Sequence, residues 1–138
     1  AIIKERFEVN YNSDLIKNID LINFIFEGNI NEIFKNLQNN ESNFAKQTYK
    51  ILIKKCPMSL AISSKLINDA KEKSLKECLE IEYQLSQKIV YRDDFDNGVN
   101  SVLVTKDHSP QWNPGKIDEI NIEELNKYFE SHTEKLYL

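Results

Sequence analysis

The stretch "SLKECLEIEYQLSQKIVY", residues 74–91, decides the fold. Ser74 and Glu77 form an S-x-x-E capping box, in which each residue satisfies a backbone donor of the other's turn. Leu75, Cys78, Leu79, Leu85 and Ile89 follow as an apolar stripe. The spacing predicts the longest helix of the chain, over about 75–91. Glu82 lies three residues after Leu79 and three before Leu85, which puts it on that stripe. A buried carboxylate is costly unless it is paired. Glu82 is therefore expected to act structurally, anchoring Arg92, Lys106 or backbone donors of a neighbouring loop. The other reading is a carboxylate facing a pocket.

Working towards the N-terminus, Pro57 is expected to end one helix and Met58 or Ser59 to start the next. Met58, Ile62, Leu66 and Ala70 lie four apart on it, with Ala61 beside them. Ser42 caps a helix carrying Phe44, Thr48, Ile51 and Leu52. Asn29 caps another with Ile30, Ile33, Phe34 and Leu37. Ser13 caps a first helix with Leu15, Ile16, Ile19, Ile22 and Phe26, which Gly28 closes. Residues 1–12 alternate weakly and read as an extended or irregular lead-in, so the helical domain is placed at 13–138.

Towards the C-terminus a helix is expected over about 94–105, with Asp93 or Asp94 as its cap. "KDHSPQWNPG", residues 106–115, then holds two of the three prolines and the only tryptophan. Pro110 and Pro114 restrict the backbone and stop a helix from continuing. Trp112 between them reads as a pin that fixes a rigid crossover, with a ligand wall as the competing reading. Ile122, Leu125, Phe129 and Leu136 mark a final helix. The fold class is all-α, with about seven amphipathic helices.

Bulk properties agree. Three glycines and three prolines in 138 residues supply too few turns for a many-stranded sheet. A net charge of −4 and a pI of about 5.3, with no basic block, argue against nucleic acid as a partner. The longest apolar run falls far short of the ~20 residues of a membrane span, so no membrane partner is expected. Cys56 and Cys78 fall on different helices without ligand spacing and read as reduced thiols. The chain begins Ala1-Ile2-Ile3, with Met58 its only methionine, and is expected to be part of something longer.

No catalytic signature occurs: there is no G-x-S-x-G, no phosphate-cradling glycine loop and no H-E-x-x-H. His108 and His132 are isolated. "RDDFD", residues 92–96, lacks the ligand number and spacing of a calcium loop. No metal or cofactor is expected.

A resemblance supplies what motifs do not. Residues 74–114 closely resemble the C-terminal part of the 3-hydroxyisobutyryl-CoA hydrolases, within the crotonase (enoyl-CoA hydratase/isomerase) superfamily. Glu82, Tyr83, Leu85, Ser86 and Gln87 match that family's E-Y-x-L-S-Q block. Asp94, Phe95, Gly98, Val99, Leu103, Lys106 and Asp107 match its D-F-x-E-G-V-x-A-x-L-x-D-K-D block, with Asn97 in place of Glu and Ser101 in place of Ala. Pro110, Trp112 and Pro114 match P-x-W-x-P. Upstream, "CPMSLAIS" at 56–63 and "INEIFKNLQ" at 30–38 resemble further family segments.

The resemblance implies a division of labour. The family's catalytic groups lie in an N-terminal core of repeated ββα units, which offers two backbone N–H groups to the thioester-derived oxyanion. No position here matches them, so no catalytic residue is assigned. The chain is expected to be a C-terminal helical part, inactive alone, that covers an acyl-CoA pocket and makes subunit contacts, including homo-oligomeric ones. Its process would be valine catabolism. Lys106 is the candidate CoA contact, and Glu82, Gly98, Pro110, Trp112 and Pro114 are expected to be structural. The place would be the cytoplasm in a bacterium or the mitochondrial matrix in a eukaryote. The alternative is a non-enzymatic helical assembly module derived from the same family.

Overall fold

A computed structural model of the chain describes residues 13–131. The expected lead-in at 1–12, His132 and Leu136 lie outside them. Among the described residues there are eight α-helices and no strand. They are α1 (Asp14–Lys17), α2 (Ile19–Ile25), α3 (Ile30–Asn39), α4 (Asn43–Leu52), α5 (Pro57–Ala70), α6 (Leu75–Ile89), α7 (Asp93–Val99) and α8 (Ile122–Tyr128).

The N-terminal helix expected as one unit is two. Asn18, at φ −109° and ψ 10°, breaks it. α2 then turns Ile25 fully inward and leaves Ile19 and Phe24 exposed, so the expected stripe is not the buried one. The Asn36 amide donates to the Ile25 carbonyl (3.3 Å) and closes α2. Gly28, at φ +91°, makes the turn into α3. Asn29 and Glu32 form a full capping box there.

Two apolar clusters fill the interior. Ile25, Ile33, Leu37 and Ala45 join α2, α3 and α4. Cys56, Met58, Ala61, Ile62, Leu85 and Leu125 join α5, α6 and α8. Pro57 opens α5 as its first residue rather than standing before it. That position suits proline, because the first turn of a helix has no use for its missing N–H. The Asn68 amide donates to the Gly28 carbonyl (2.9 Å) and ties α5 to the α2–α3 turn.

The capping box at α6 is as expected. The Ser74 hydroxyl (2.6 Å) and the Ser74 N–H (2.8 Å) both donate to Glu77 Oε2. In that order they hold the Glu77 carboxyl below the usual carboxylate range. A depressed folded pKa gives stability that is full above the unfolded value of 4.5 and is lost as pH falls through the folded value. The first turn of α6 is therefore expected to fray on acidification. Glu77→Gln keeps the reach of the side chain and removes the pH dependence. Amide exchange at Leu75–Cys78 checks this, and identical pH profiles for both forms would contradict it.

The buried face of α6 differs from the expected stripe. At 100° per residue, Leu79 and Leu85 point 120° apart. The inward face runs through Ile81, Gln84, Leu85 and Ile89, while Leu75 is 75% exposed. Glu82 follows Leu75 and Leu79 outward and is exposed. The expectation that it anchors Arg92 or Lys106 from within the core does not hold. The Lys88 ammonium instead crosses to α8 and donates to the carbonyls of Lys127, Tyr128 and Glu130 at 3.0, 3.2 and 2.5 Å. A cation there offsets both the unpaired carbonyls and the dipole of a helix end.

Candidate functional site

Two features of the C-terminal half stand apart from ordinary packing: a loop clamped onto α7, and an apolar strip that α7 turns outward.

The clamp is built around Arg92. Its Nε and Nη2 donate to Asp94 Oδ2 at 3.1 and 2.9 Å. Its Nη1 donates to Glu124 Oε1 and to the Tyr128 hydroxyl. Its Nη2 also reaches the Asn113 carbonyl at 2.6 Å. Asp94 Oδ1 accepts from the Asn113 N–H at 2.7 Å. Burial works against the guanidinium charge. The hydrogen bonds that it donates to Tyr128, Glu124 and Asp94 outweigh this and keep Arg92 charged well above the ordinary arginine range. One side chain thus joins the start of α7, the Pro/Trp loop and α8. Asp94, expected to cap α7, is buried in this cluster instead, and the N-cap position is Arg92 without a side-chain cap.

The loop lies along one face of α7. Asp94 holds Asn113, and the Asn97 amide donates to the Gln111 carbonyl (3.0 Å). The His108 N–H donates to the Ser101 carbonyl (3.0 Å). Gly98 faces Trp112 so closely that a Cβ there would sit 3.3 Å from the ring. Residues 94, 97, 98 and 101 follow i, i+3, i+4, i+7, so one helix face carries the whole seam. The Trp112 Nε1–H donates to the Lys54 carbonyl (3.2 Å), and its ring packs on the Met58–Leu125 cluster. Trp112 therefore joins the α4–α5 turn to α7, a wider span than the last helix alone. Pro110 and Pro114 are half-buried beside it.

After Val99 the helix widens into a π turn over Asn100–Val104, closed by the Thr105 N–H donating to the Asn100 carbonyl at 2.9 Å. The 94–105 helix of the sequence is therefore two conformations. Lys106 (φ 56°) and His108 (φ 55°) follow in the left-handed region, which costs a side-chain-bearing residue energy. Asp107 Oδ1 accepts from the Ser109 N–H (2.9 Å), and this bond, with Thr105, holds its carboxyl below the usual range. Lys106 is exposed at the tip of this turn. Sequence reasoning missed the Arg92 cluster, although "RDDFD" carried its first two members.

Away from the loop, α7 and the π turn expose a run of apolar residues. Phe95 is 46% exposed, Val102 49% and Leu103 67%. Asp93, Asp96 and Asn100 are exposed beside them, so the outward side is mixed, with more apolar surface than an ordinary surface helix shows. Contiguous exposed apolar surface is a common feature of interaction sites. Among the described residues no helix is long and apolar enough to cross a membrane. Nor do three or more His, Cys, Asp or Glu side chains gather as a metal would need.

A sequence-family model described as enoyl-CoA hydratase/isomerase matches residues 2–129. The mitochondrial 3-hydroxyisobutyryl-CoA hydrolase of Homo sapiens is 40% identical over 118 residues, covering 85% of this chain and 31% of that protein. The mitochondrial 3-hydroxyisobutyryl-CoA hydrolase of Dictyostelium discoideum is 40% identical over 112 residues, 80% of this chain and 29% of its own. Among solved structures, a carnitinyl-CoA dehydratase from Mycobacterium thermoresistibile superposes with a TM-score of 0.82 at 22% identity, over 91% of this chain and 36% of its own. An enoyl-CoA hydratase from Rhodobacter sphaeroides gives 0.79 at 24%, over 85% and 35%. These two likenesses concern the fold alone. The chain spans about 31% of the length of the human relative it matches.

Proposed function

Because the chain belongs to the enoyl-CoA hydratase/isomerase family, we propose that it is the C-terminal helical part of an acyl-CoA thioester hydrolase similar to 3-hydroxyisobutyryl-CoA hydrolase. The observation that carries this reading is the outward apolar strip of α7 and its π turn. A strip of that composition suits the wall of an acyl-CoA pocket or the seam with a catalytic core, and a core of the family's kind accounts for the remaining length of the relatives. Chemistry belongs to that core: oxyanion-stabilising N–H groups and carboxylates that activate water for attack on the thioester carbonyl. The helical part, residues 13–138, is inactive alone. It excludes water and fixes the pocket's outer wall, and the Arg92 clamp supplies the rigidity that a wall requires. Lys106, at the tip of the strained turn, is the residue proposed to meet a CoA phosphate. Valine catabolism is the proposed process. The proposed place is the mitochondrial matrix in a eukaryote or the cytoplasm in a bacterium.

The test compares the full protein with this chain by release of CoA thiol from 3-hydroxyisobutyryl-CoA. The chain alone is expected to show no turnover, and the full protein to hydrolyse the thioester. Leu103→Asp in the full protein is expected to cost at least about tenfold in kcat/KM, as a charge enters the covered strip. Lys106→Ala is expected to raise KM several-fold with kcat little changed. Turnover by the chain alone, or no effect of Leu103→Asp, refutes the reading and favours an assembly module that uses the strip to bind another protein.

A further inference from the structure

The turn that carries Lys106 is specified more tightly than packing requires. Lys106 and His108 both take left-handed backbone, at φ 56° and 55°. Among the described residues no other non-glycine residue has a positive φ. One such residue costs conformational energy, and a pair within three positions persists only where other contacts hold it. Residues 102–109 are all exposed, so burial does not impose this shape.

Hydrogen bonds do. The Thr105 N–H donates to the Asn100 carbonyl (2.9 Å) and the His108 N–H to the Ser101 carbonyl (3.0 Å), which ties the segment to the π turn before it. Asp107 shapes the rest. Its Oδ1 accepts from the Ser109 N–H (2.9 Å), and its carbonyl accepts from the Ser109 hydroxyl (3.2 Å). The first of these bonds closes an Asx turn over His108. The Thr105 hydroxyl is within reach of the same carboxylate as well as of the Asn100 carbonyl (3.3 Å). One carboxylate thus sits between Thr105 and Ser109, and both left-handed residues fall between the same two. These bonds all lie within 105–109, so what Asp107 shapes is the backbone path that presents Lys106.

We infer that Asp107 is a positioning residue, which holds the left-handed turn in the form that presents Lys106 to a CoA phosphate. The inference rests on the reading of Lys106 proposed above. A lysine is a point charge on a flexible stem and loses rotamer freedom on contact. Fixing its backbone beforehand leaves less to order when the ligand arrives. A contact so far from the thioester is made equally in the ground and transition states, so its effect falls on KM and not on kcat. The charge of Asp107 does not account for its place, because a carboxylate beside a phosphate contact opposes binding.

The experiment is steady-state kinetics of the full protein with 3-hydroxyisobutyryl-CoA and with the N-acetylcysteamine thioester of the same acid, which has no phosphate. Asp107→Ala is expected to raise KM for the CoA thioester several-fold, with kcat little changed and the smaller thioester unaffected. Asp107→Asn keeps an acceptor at Oδ1 and is expected to recover most of that loss. In a Lys106→Ala background, Asp107→Ala is expected to add nothing, since it acts through that lysine. Amide exchange at Ser109 reads the turn directly and is expected to quicken in Asp107→Ala. An unchanged or lowered KM in Asp107→Ala, equal effects of the Ala and Asn variants, effects that add to Lys106→Ala, or unchanged exchange at Ser109 each overturns the inference and leaves Lys106 as a contact. An unchanged KM in Lys106→Ala overturns the reading of Lys106, and the inference with it.

Discussion

Arg92→Met is expected to lower the unfolding free energy of the chain by about 3–5 kcal/mol, because it leaves a buried carboxylate without its cation. The Asp94 side chain is only 5% exposed and that of Arg92 14%, so water replaces the lost guanidinium contacts poorly at Asp94. Asp94 keeps its bond from the Asn113 N–H but loses both guanidinium donors, and Glu124 and Tyr128 lose theirs. Methionine roughly preserves the aliphatic stem, so the loss is chiefly one of charge and hydrogen bonds. The double variant Arg92→Met/Asp94→Leu removes the stranded charge and is expected to recover part of the loss. Urea denaturation followed by far-UV circular dichroism measures both. A loss below about 1 kcal/mol for the single variant would show that the cluster behaves as a surface ion pair.

Trp112→Ala is the second large effect, expected at about 3 kcal/mol. That is the low end for removing a large aromatic, since this ring is half-buried rather than fully enclosed. The ring leaves a gap between Gly98 and the Met58–Leu125 cluster, and the Lys54 carbonyl loses its donor. Trp112→Phe keeps most of the packing and loses the N–H, so it is expected to cost about 1 kcal/mol. The difference between the two variants separates cavity from hydrogen bond. In the full protein, Trp112→Ala is also expected to loosen the turn that carries Lys106, raising KM for acyl-CoA more than Trp112→Phe does. Equal stability losses for the two variants would refute the packing account.

The helices were legible where their signals are local. Ser42, Ser74 and Asn29 act within four residues of themselves, and each marks a helix start that the structure contains; Pro57, read as ending a helix, instead opens α5, one residue earlier than the expected start. The choice of buried face was less legible. Leu75 and Leu79 have the right composition for a core and the wrong rotation, because Ile81, Leu85 and Ile89 set the inward side. Apolar residues on the outer side of α6 and α7 made two stripes look like one, and Glu82 was misplaced by that merging. The Arg92 cluster was not legible. Apart from Asp94, its partners lie 21, 32 and 36 residues away, and no periodicity connects positions that only the tertiary fold brings together. The rigid loop was legible as rigid from its prolines. Its seam with residues 94, 97, 98 and 101 depended on a glycine, two short polar side chains and the Ser101 carbonyl, which carry no hydrophobic signal.

The Lys88 clip has a consequence for the order of events during synthesis. α8 has seven residues, too few to persist as a helix in water without support. Besides the packing of Leu125, its support includes an ammonium group that leaves the ribosome about 40 residues earlier, on a helix with its own capping box. α8 therefore arrives at a seat already prepared. A chain that stops before Tyr128 is left with a finished α6 whose amine has lost its carbonyl partners there. Vectorial growth from the N-terminus suits this arrangement, and the reverse order of assembly would not.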